Sequence, residues 1–338
     1  MRRRPPSSAV PELIIFDVGH GNAALYQNET GCVVIDGGPD ETLAGFFQSP
    51  MYIGPREIVA IFVSHGDEDH LRGVLRLLEN NPDLRVGQMF VNPDQQRDTA
   101  LWQSFSDEVR RLESQGTVIV TSLTRSYPGT YALGPCTFEI LSPPPGRILK
   151  AANSNTWSAV IRIVQHEHPV ALLTADMDRT TLMELLEEGA DLRADYLVFP
   201  HHGGRPKQAN PERFARDLIL AVRPTTVLFS IGRKRFDNPL PTILKGVLAA
   251  AGKLKLNVDI ACTQLASACS NRTYPDREVD PHSAGAYDGT SCAGTLRIPL
   301  KSPESTIKRN RVILRNHRKF VDLLVASEER PRCRKTNP

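Results

Sequence analysis

At 338 residues, with a formal net charge of +3, 40% hydrophobic and 23% charged residues, the chain has the composition of a globular protein and not of a disordered one. No apolar run approaches the roughly 20 residues a membrane-spanning helix needs, and Met1-Arg2-Arg3-Arg4-Pro5-Pro6 leads into no signal-type apolar segment, so a cytoplasmic protein with no membrane partner is the expectation. The charge is unevenly held: residues 1–230 carry 21 Lys+Arg against 28 Asp+Glu, whereas residues 231–338 carry 20 against 10.

The first apolar runs, Leu13-Ile14-Ile15-Phe16 and Cys32-Val33-Val34-Ile35, read as strands ending at Asp17 and Asp36, with glycines close behind where the backbone must turn tightly. A third, Ile58-Val59-Ala60-Ile61-Phe62-Val63, runs directly into Ser64-His65-Gly66-Asp67-Glu68-Asp69-His70. Imidazoles and carboxylates packed into one loop after a strand suit divalent metals. The two adjacent pairs, His65 with Asp67 and Asp69 with His70, provide for two ions. Leu71-Arg72-Gly73-Val74-Leu75-Arg76-Leu77-Leu78 has helical spacing, so a helix starts at that loop.

Beyond it, residues 99–115, 178–188, 211–220 and 241–251 read as helices. Residues 86–91, 117–121, 136–141, 158–164, 169–174, 195–199, 225–230 and 256–262 read as strands. Two of these end on potential ligands: Leu172-Leu173-Thr174-Ala175-Asp176 and Tyr196-Leu197-Val198-Phe199-Pro200-His201-His202. Pro143-Pro144-Pro145-Gly146 is a loop between strands. Residues 263–290 are polar and aperiodic, a long insertion or ordered loop. Thr295-Leu296-Arg297-Ile298-Pro299-Leu300 reads as a terminal strand, Ile313-Leu314 and residues 320–325 as one helix, and residues from about 328 as a disordered end.

The ordered series of motifs resembles the metallo-β-lactamase superfamily, and within it the hydrolase (nuclease) domain of ComEC-type DNA-uptake proteins and their free-standing relatives. The resemblance covers about residues 12 to 235. It rests on the segments at 16–21, 35–38, 64–73, 155–158, 172–176 and 200–203, of which 64–73 is the most specific. It implies an αββα sandwich (α/β, α+β) over residues 12–262, with residues 263–338 as a basic extension. Three departures stand out. Asp67 replaces a histidine common in the superfamily, Asn153-Ser154-Asn155 occupies the place of another, and Asn22 stands where the branch often has Asp.

The mechanism implied is hydrolysis by a water bridged and activated between two divalent ions. His65 and Asp67 would hold the first ion, with Asn155 as a further donor, and Asp69 and His70 the second. Asp176 would bridge them and His201 complete the second site. Asp69, Asp176 and His202 are the catalytic candidates, His202 either donating to a scissile phosphate or leaving oxygen or satisfying a backbone group. Asp17 and Asp36 are expected to orient ligands and hold loops in register; His20 has an open role. An oxygen-rich first position favours manganese, with zinc and magnesium as the other candidates. His166, His168 and His317 are assigned no function.

Of the six cysteines, Cys32 and Cys136 sit in apolar strand contexts. Cys262, Cys269 and Cys292, with His282 between them, form a candidate structural zinc set; buried free thiols are the alternative. The resemblance implies DNA cleavage, and basic clusters at 233–235, 308–311, 315–319 and 330–335 supply a phosphate-attracting surface. The leading expectation is therefore a metal-dependent nuclease with DNA as substrate. A hydrolase of lactones, thioesters or cyclic phosphodiesters is the enzymatic alternative, and a nucleic-acid or partner-binding module the non-enzymatic one.

Overall fold

The computed structural model describes residues 11–81, 83–92, 99–145, 154–207, 209–300 and 306–333. The expected Gly146 turn, Asn153 and the last basic residues, 334–335, lie outside this set. The first half of the chain forms β1 (Glu12–Ile15), β2 (Ala23–Gln27), β3 (Cys32–Gly37), α1 (Thr42–Gln48), β4 (Glu57–Val63), α2 (Glu68–Asn80), β5 (Arg85–Val91), α3 (Ala100–Ser114), β6 (Ile119–Ser122), β7 (Thr130–Leu133) and β8 (Cys136–Ser142). The second half forms β9 (Val160–Gln165), β10 (His168–Leu173), α4 (Arg179–Glu187), β11 (Tyr196–Val198), α5 (Pro211–Val222), β12 (Thr226–Phe229), α6 (Pro241–Leu254), β13 (Asp259–Cys262), β14 (Leu296–Pro299), α7 (Thr306–Ile313) and α8 (Arg315–Ala326).

Two seven-stranded sheets, ordered β14-β1-β2-β3-β4-β5-β6 and β13-β12-β11-β10-β9-β8-β7, face each other. Alternation along each strand sorts its side chains between two layers of core. Ile35, Phe62, Phe138, Ile161 and Val198 fill the space between the sheets. Val34, Ile61, Phe46, Leu71 and Phe105 fill the layer under α1, α2 and α3. Leu197, Phe229, Phe214, Val247 and Phe320 fill the layer under α4, α5, α6 and α8. This is the αββα sandwich expected from the sequence. The helices begin where local chemistry dictates: Thr99, Asp178 and Asn210 accept backbone N–H bonds from the first turns of α3, α4 and α5.

Strands β3 to β6 run parallel to one another, as do β10 to β13. The carboxyl ends of parallel strands are where open α/β sheets bind ligands.

Three elements escaped the sequence reading. Helix α1 is only 7 residues long, and β2 and β7 are hairpin strands of 5 and 4 residues, too short for a period to declare itself. The expected single C-terminal helix is two, α7 and α8, with buried Leu314 at the joint. The tail past residue 328 is not disordered as far as residue 333: Arg332 pairs with Asp237 and Cys333 is buried. The segment from residue 263 is tied to the first sheet. β14 pairs antiparallel with β1, and the 280s loop is bonded to Asp17 through Gly285 N and Ser291 Oγ.

Candidate metal centre

The turns that follow β3, β4, β10, β11 and β12 converge at one rim of the sandwich. Asp36, near the end of β3, has φ 55°, Ala175 after β10 has φ 43°, and His201 and His202 after β11 have φ 50° and 55°. Left-handed backbone is unfavourable for residues with a Cβ, and its concentration at one locus is a mark of a functional site.

Asp36 organises the two histidines of the 64–70 loop. Its Oδ2 accepts from His70 Nδ1 at 2.7 Å and from Ser64 Oγ at 2.6 Å, while Oδ1 accepts from Ser64 N at 2.7 Å. With its proton given to Asp36, the Ser64 hydroxyl is left to accept from His65 Nδ1 at 3.0 Å. Both rings are thereby oriented through Nδ1, and both Nε2 atoms turn inward, buried and without a hydrogen-bond partner. They face Asp176: His70 Nε2 lies 3.3 Å from Oδ1 and His65 Nε2 lies 3.9 Å from Oδ2.

His202 is held the same way from the other sheet. Its Nδ1 donates to the Ser230 carbonyl at 2.8 Å, and its Nε2 faces Asp69 Oδ2 at 3.1 Å and Asp176 Oδ1 at 3.6 Å. A lone-pair nitrogen facing carboxylate oxygens is stable only with a proton or a cation between them. The donor set therefore fits divalent metal. Two groups of ligand atoms lie within 4.8 Å of one another: His65, His70 and Asp176, and His20, Asp69 and His202. Asp176 lies between the two groups: its Oδ1 faces His70 Nε2 of the first and His202 Nε2 of the second, while its Oδ2 faces His65 and His201.

The electrostatics follow from burial against charge. Burial drives the His65 ring down to about 4, helped by neighbouring His70. Burial opposes charge on His70 as well, but the Asp36 and Asp176 carboxylates outweigh it and raise that ring well above its ordinary value. Burial likewise opposes ionisation of Asp176, yet bonds from His201 and His70 hold it well below the carboxylate range. Burial pushes His20 down to about 3, with His202 adding to the shift.

The expected residues do converge, but in a different grouping. His70 joins His65, not Asp69. His202 takes the inward position expected of His201, because its Nδ1 is anchored on Ser230; the reading of His202 as a separate proton donor is replaced by a ligand-like geometry. His201 is partly exposed and bonds to Asp176 Oδ2 through Nδ1 at 2.8 Å. Asn155 Nδ2 lies 3.5 Å from Asp176 Oδ2 and 3.4 Å from His201 Nδ1, at the edge of the first group. Asp67 Oδ2 lies 3.6 Å from His65 Nε2. His20, left open by the sequence, stacks on His202 with ring centroids 4.2 Å apart. Each group holds two imidazoles, His65 with His70 and His20 with His202, while Asp67 and Asn155 remain at the edge of the first. Asp17 accepts from Gly19 N, Gly285 N and Ser291 Oγ, which ties its own turn to the 280s loop. His282 is not beside the cysteines; it pairs with Asp280 and packs on Phe46.

Supporting residues went unread. Asn92 Nδ2 donates to the carbonyls of Ser64 and Trp157, tying the metal loop to the 154–157 turn; its place after a parallel strand was the available signal. Ser230 contributes a backbone carbonyl, which no side-chain motif reports. The approach between α2 and β3 explains two glycines: a Cβ on Gly73 would sit 1.9 Å from the Gly37 carbonyl oxygen, and one on Gly37 would sit 2.2 Å from Val74 N.

A two-sheet sandwich with paired histidine–carboxylate groups at its rim has the features of a metal-dependent hydrolase fold. Residues 16–87 match the model of the Metallo-beta-lactamase superfamily, which supports that superfamily for this chain. Among solved structures, the chain is similar to the metallo-beta-lactamase fold protein YhfI from Bacillus subtilis, with 14% identity over 74% of this chain and 96% of that one and a TM-score of 0.46. It is also similar to the metallo hydrolase Igni18 from Ignicoccus hospitalis, with 12% identity over 74% and 94% of the two chains and a TM-score of 0.43. A third is Zn(2+)-bound PqqB from Methylobacterium extorquens, with 12% identity over 74% and 97% and a TM-score of 0.43. No curated protein matches the chain.

Proposed function

We propose that the protein is a two-metal phosphodiesterase acting on nucleic acid, with DNA as the leading substrate. The observation that carries the two-metal part is Asp176, whose Oδ1 stands between His70 of one histidine group and His202 of the other. His65, His70 and Asp176, with Asp67 at the edge, would hold one ion; Asp69, His202 and His20 would hold the second, with Asp176 shared between the two. Bound there, two divalent ions supply Lewis-acid polarisation of the scissile bond and a water acidic enough to attack near neutral pH. Two imidazoles in each group suit zinc, and the carboxylates keep manganese in contention.

The chain's own residues do the rest. Asp36 and Ser64 fix the His65 and His70 rings, and the Ser230 carbonyl fixes His202. Asn155, Asp176, Asp178 and His201 share a surface depression with Arg205 and Lys207, and both cations are exposed. A cationic mouth beside the reacting centre favours a phosphate-bearing substrate over a neutral lactone. Exposed Lys234 and Arg235 stand beyond His20. Arg233, counted with them in the sequence, is buried and donates to the carbonyls of Leu265, Ser270 and Arg272, so it belongs to the framework and not to the phosphate surface.

The test is turnover by chelated protein reloaded with manganese or zinc, on linear single- and double-stranded DNA, a chromogenic phosphodiester and a lactone. Metal-dependent DNA cleavage that disappears in Asp176→Asn is expected. Lactone hydrolysis without phosphodiester cleavage would assign the small-molecule class instead.

A further inference from the structure

The second sheet's outer face holds a cluster of sulfur ligands unconnected with the catalytic rim. Cys262 ends β13, Cys292 lies in the loop before β14, His317 sits in the first turn of α8, and Cys333 follows that helix. All four are buried. Ligand atoms of Cys292, His317 and Cys333 lie within 4.8 Å of one another, and Cys262 Sγ lies 3.5 Å from Cys333 Sγ. A tetrahedral zinc with Zn–S bonds of about 2.3 Å has S···S edges of roughly 3.8 Å, so the thiols already stand near coordination spacing.

Two further observations point to a cation. His317 Nε2 is buried with no hydrogen-bond partner. Arg277 donates to the Ser291 carbonyl beside Cys292 and lies 3.9 Å over the Phe320 ring, yet its Nη2 is buried and unpartnered. Three thiolates and one imidazole on a divalent ion carry a net charge of −1, which offsets that guanidinium; three neutral thiols do not.

We propose that Cys262, Cys292, His317 and Cys333 bind a structural zinc ion that fastens α8 and the residues after it to the second sheet. Three sulfurs and one imidazole in a tetrahedral, closed set select zinc among the common divalent ions. Binding releases three thiol protons to solvent and leaves no open position for substrate, so this ion is structural. Cys269, whose sulfur accepts from Arg332 N at 3.2 Å, lies alongside as a non-ligand. A cavity lined by Asp259, His317, Arg318, Asp322 and Cys333 provides an entry path from solvent.

Cobalt substitution of the full-length protein tests this. The candidate catalytic donors are nitrogen and oxygen, so thiolate-to-cobalt charge transfer in the near-ultraviolet reads the cysteine cluster alone. The band is expected in the wild type and in Asp176→Asn, and lost in Cys333→Ser. A wild-type protein without the band, a band unchanged in Cys333→Ser, or a Cys262–Cys333 disulfide found by mass spectrometry overturns the proposal. Should Cys333→Ser not fold, the wild-type absorption decides by itself.

Discussion

Two adjacent histidines with nearly the same backbone conformation differ in what holds them. His202 is anchored by the Ser230 carbonyl and buried; His201 is partly exposed and bonds to Asp176 through Oδ2. If anchoring decides ligation, His202→Ala lowers bound metal by about one equivalent, while His201→Ala retains the full complement, as elemental analysis of the two proteins will show. The reverse pattern would return the site to the assignment the sequence suggested. The ligand types were legible in the 64–70 loop and at Asp176 because a strand followed by clustered imidazoles and carboxylates is a local pattern. Which of His201 and His202 turns inward was not, because that depends on a carbonyl 28 residues away in sequence.

Among the elements, α2 shows a rule reversed by packing. Replacing a helical glycine by alanine normally stabilises, by about 1 kcal/mol. Gly73, however, rests against the carbonyl of Gly37, where a Cβ would lie at 1.9 Å. Overpacking of this kind costs on the order of 1–3 kcal/mol, so Gly73→Ala is expected to destabilise, measured as a lower midpoint of denaturant unfolding with an unchanged slope. Stability equal to or above wild type would mean that α2 can retreat from β3. The helical period of α2 was readable from Leu71, Val74, Leu75 and Leu78. Its contact with β3 was not, since a glycine carries no sign of what approaches it.

For the molecule as a whole, four arginines of the basic last third are bound up in the fold. Arg233 and Arg309 are buried, Arg318 pairs with Asp259 and Arg332 with Asp237. Helix α8 seals the second sheet's outer layer with Phe320, Val321 and Leu324. Burial of such side chains contributes roughly 1.5–3 kcal/mol each, a sum comparable with the 5–15 kcal/mol that typically holds a domain together. A chain ending at residue 314 should therefore fail to give a cooperatively folded protein, checked by soluble yield and near-ultraviolet circular dichroism. A folded, metal-binding truncation would make the extension dispensable. The sequence could not foretell this: the charge run is visible in composition, but the pairing of each arginine depends on residues up to 95 positions away.

The pairing of β1 with β14, Glu12 opposite Pro299, has a consequence for how the protein is made. A ribosome releases β1 early, but the strand that completes its edge emerges only after nearly 300 further residues have been synthesised. Until then the nascent first sheet presents an open row of backbone donors and acceptors to every other chain nearby, the configuration from which edge-to-edge aggregation starts. Completion of the first sheet therefore waits for β14, and production at low temperature or with a holding chaperone should raise the folded yield.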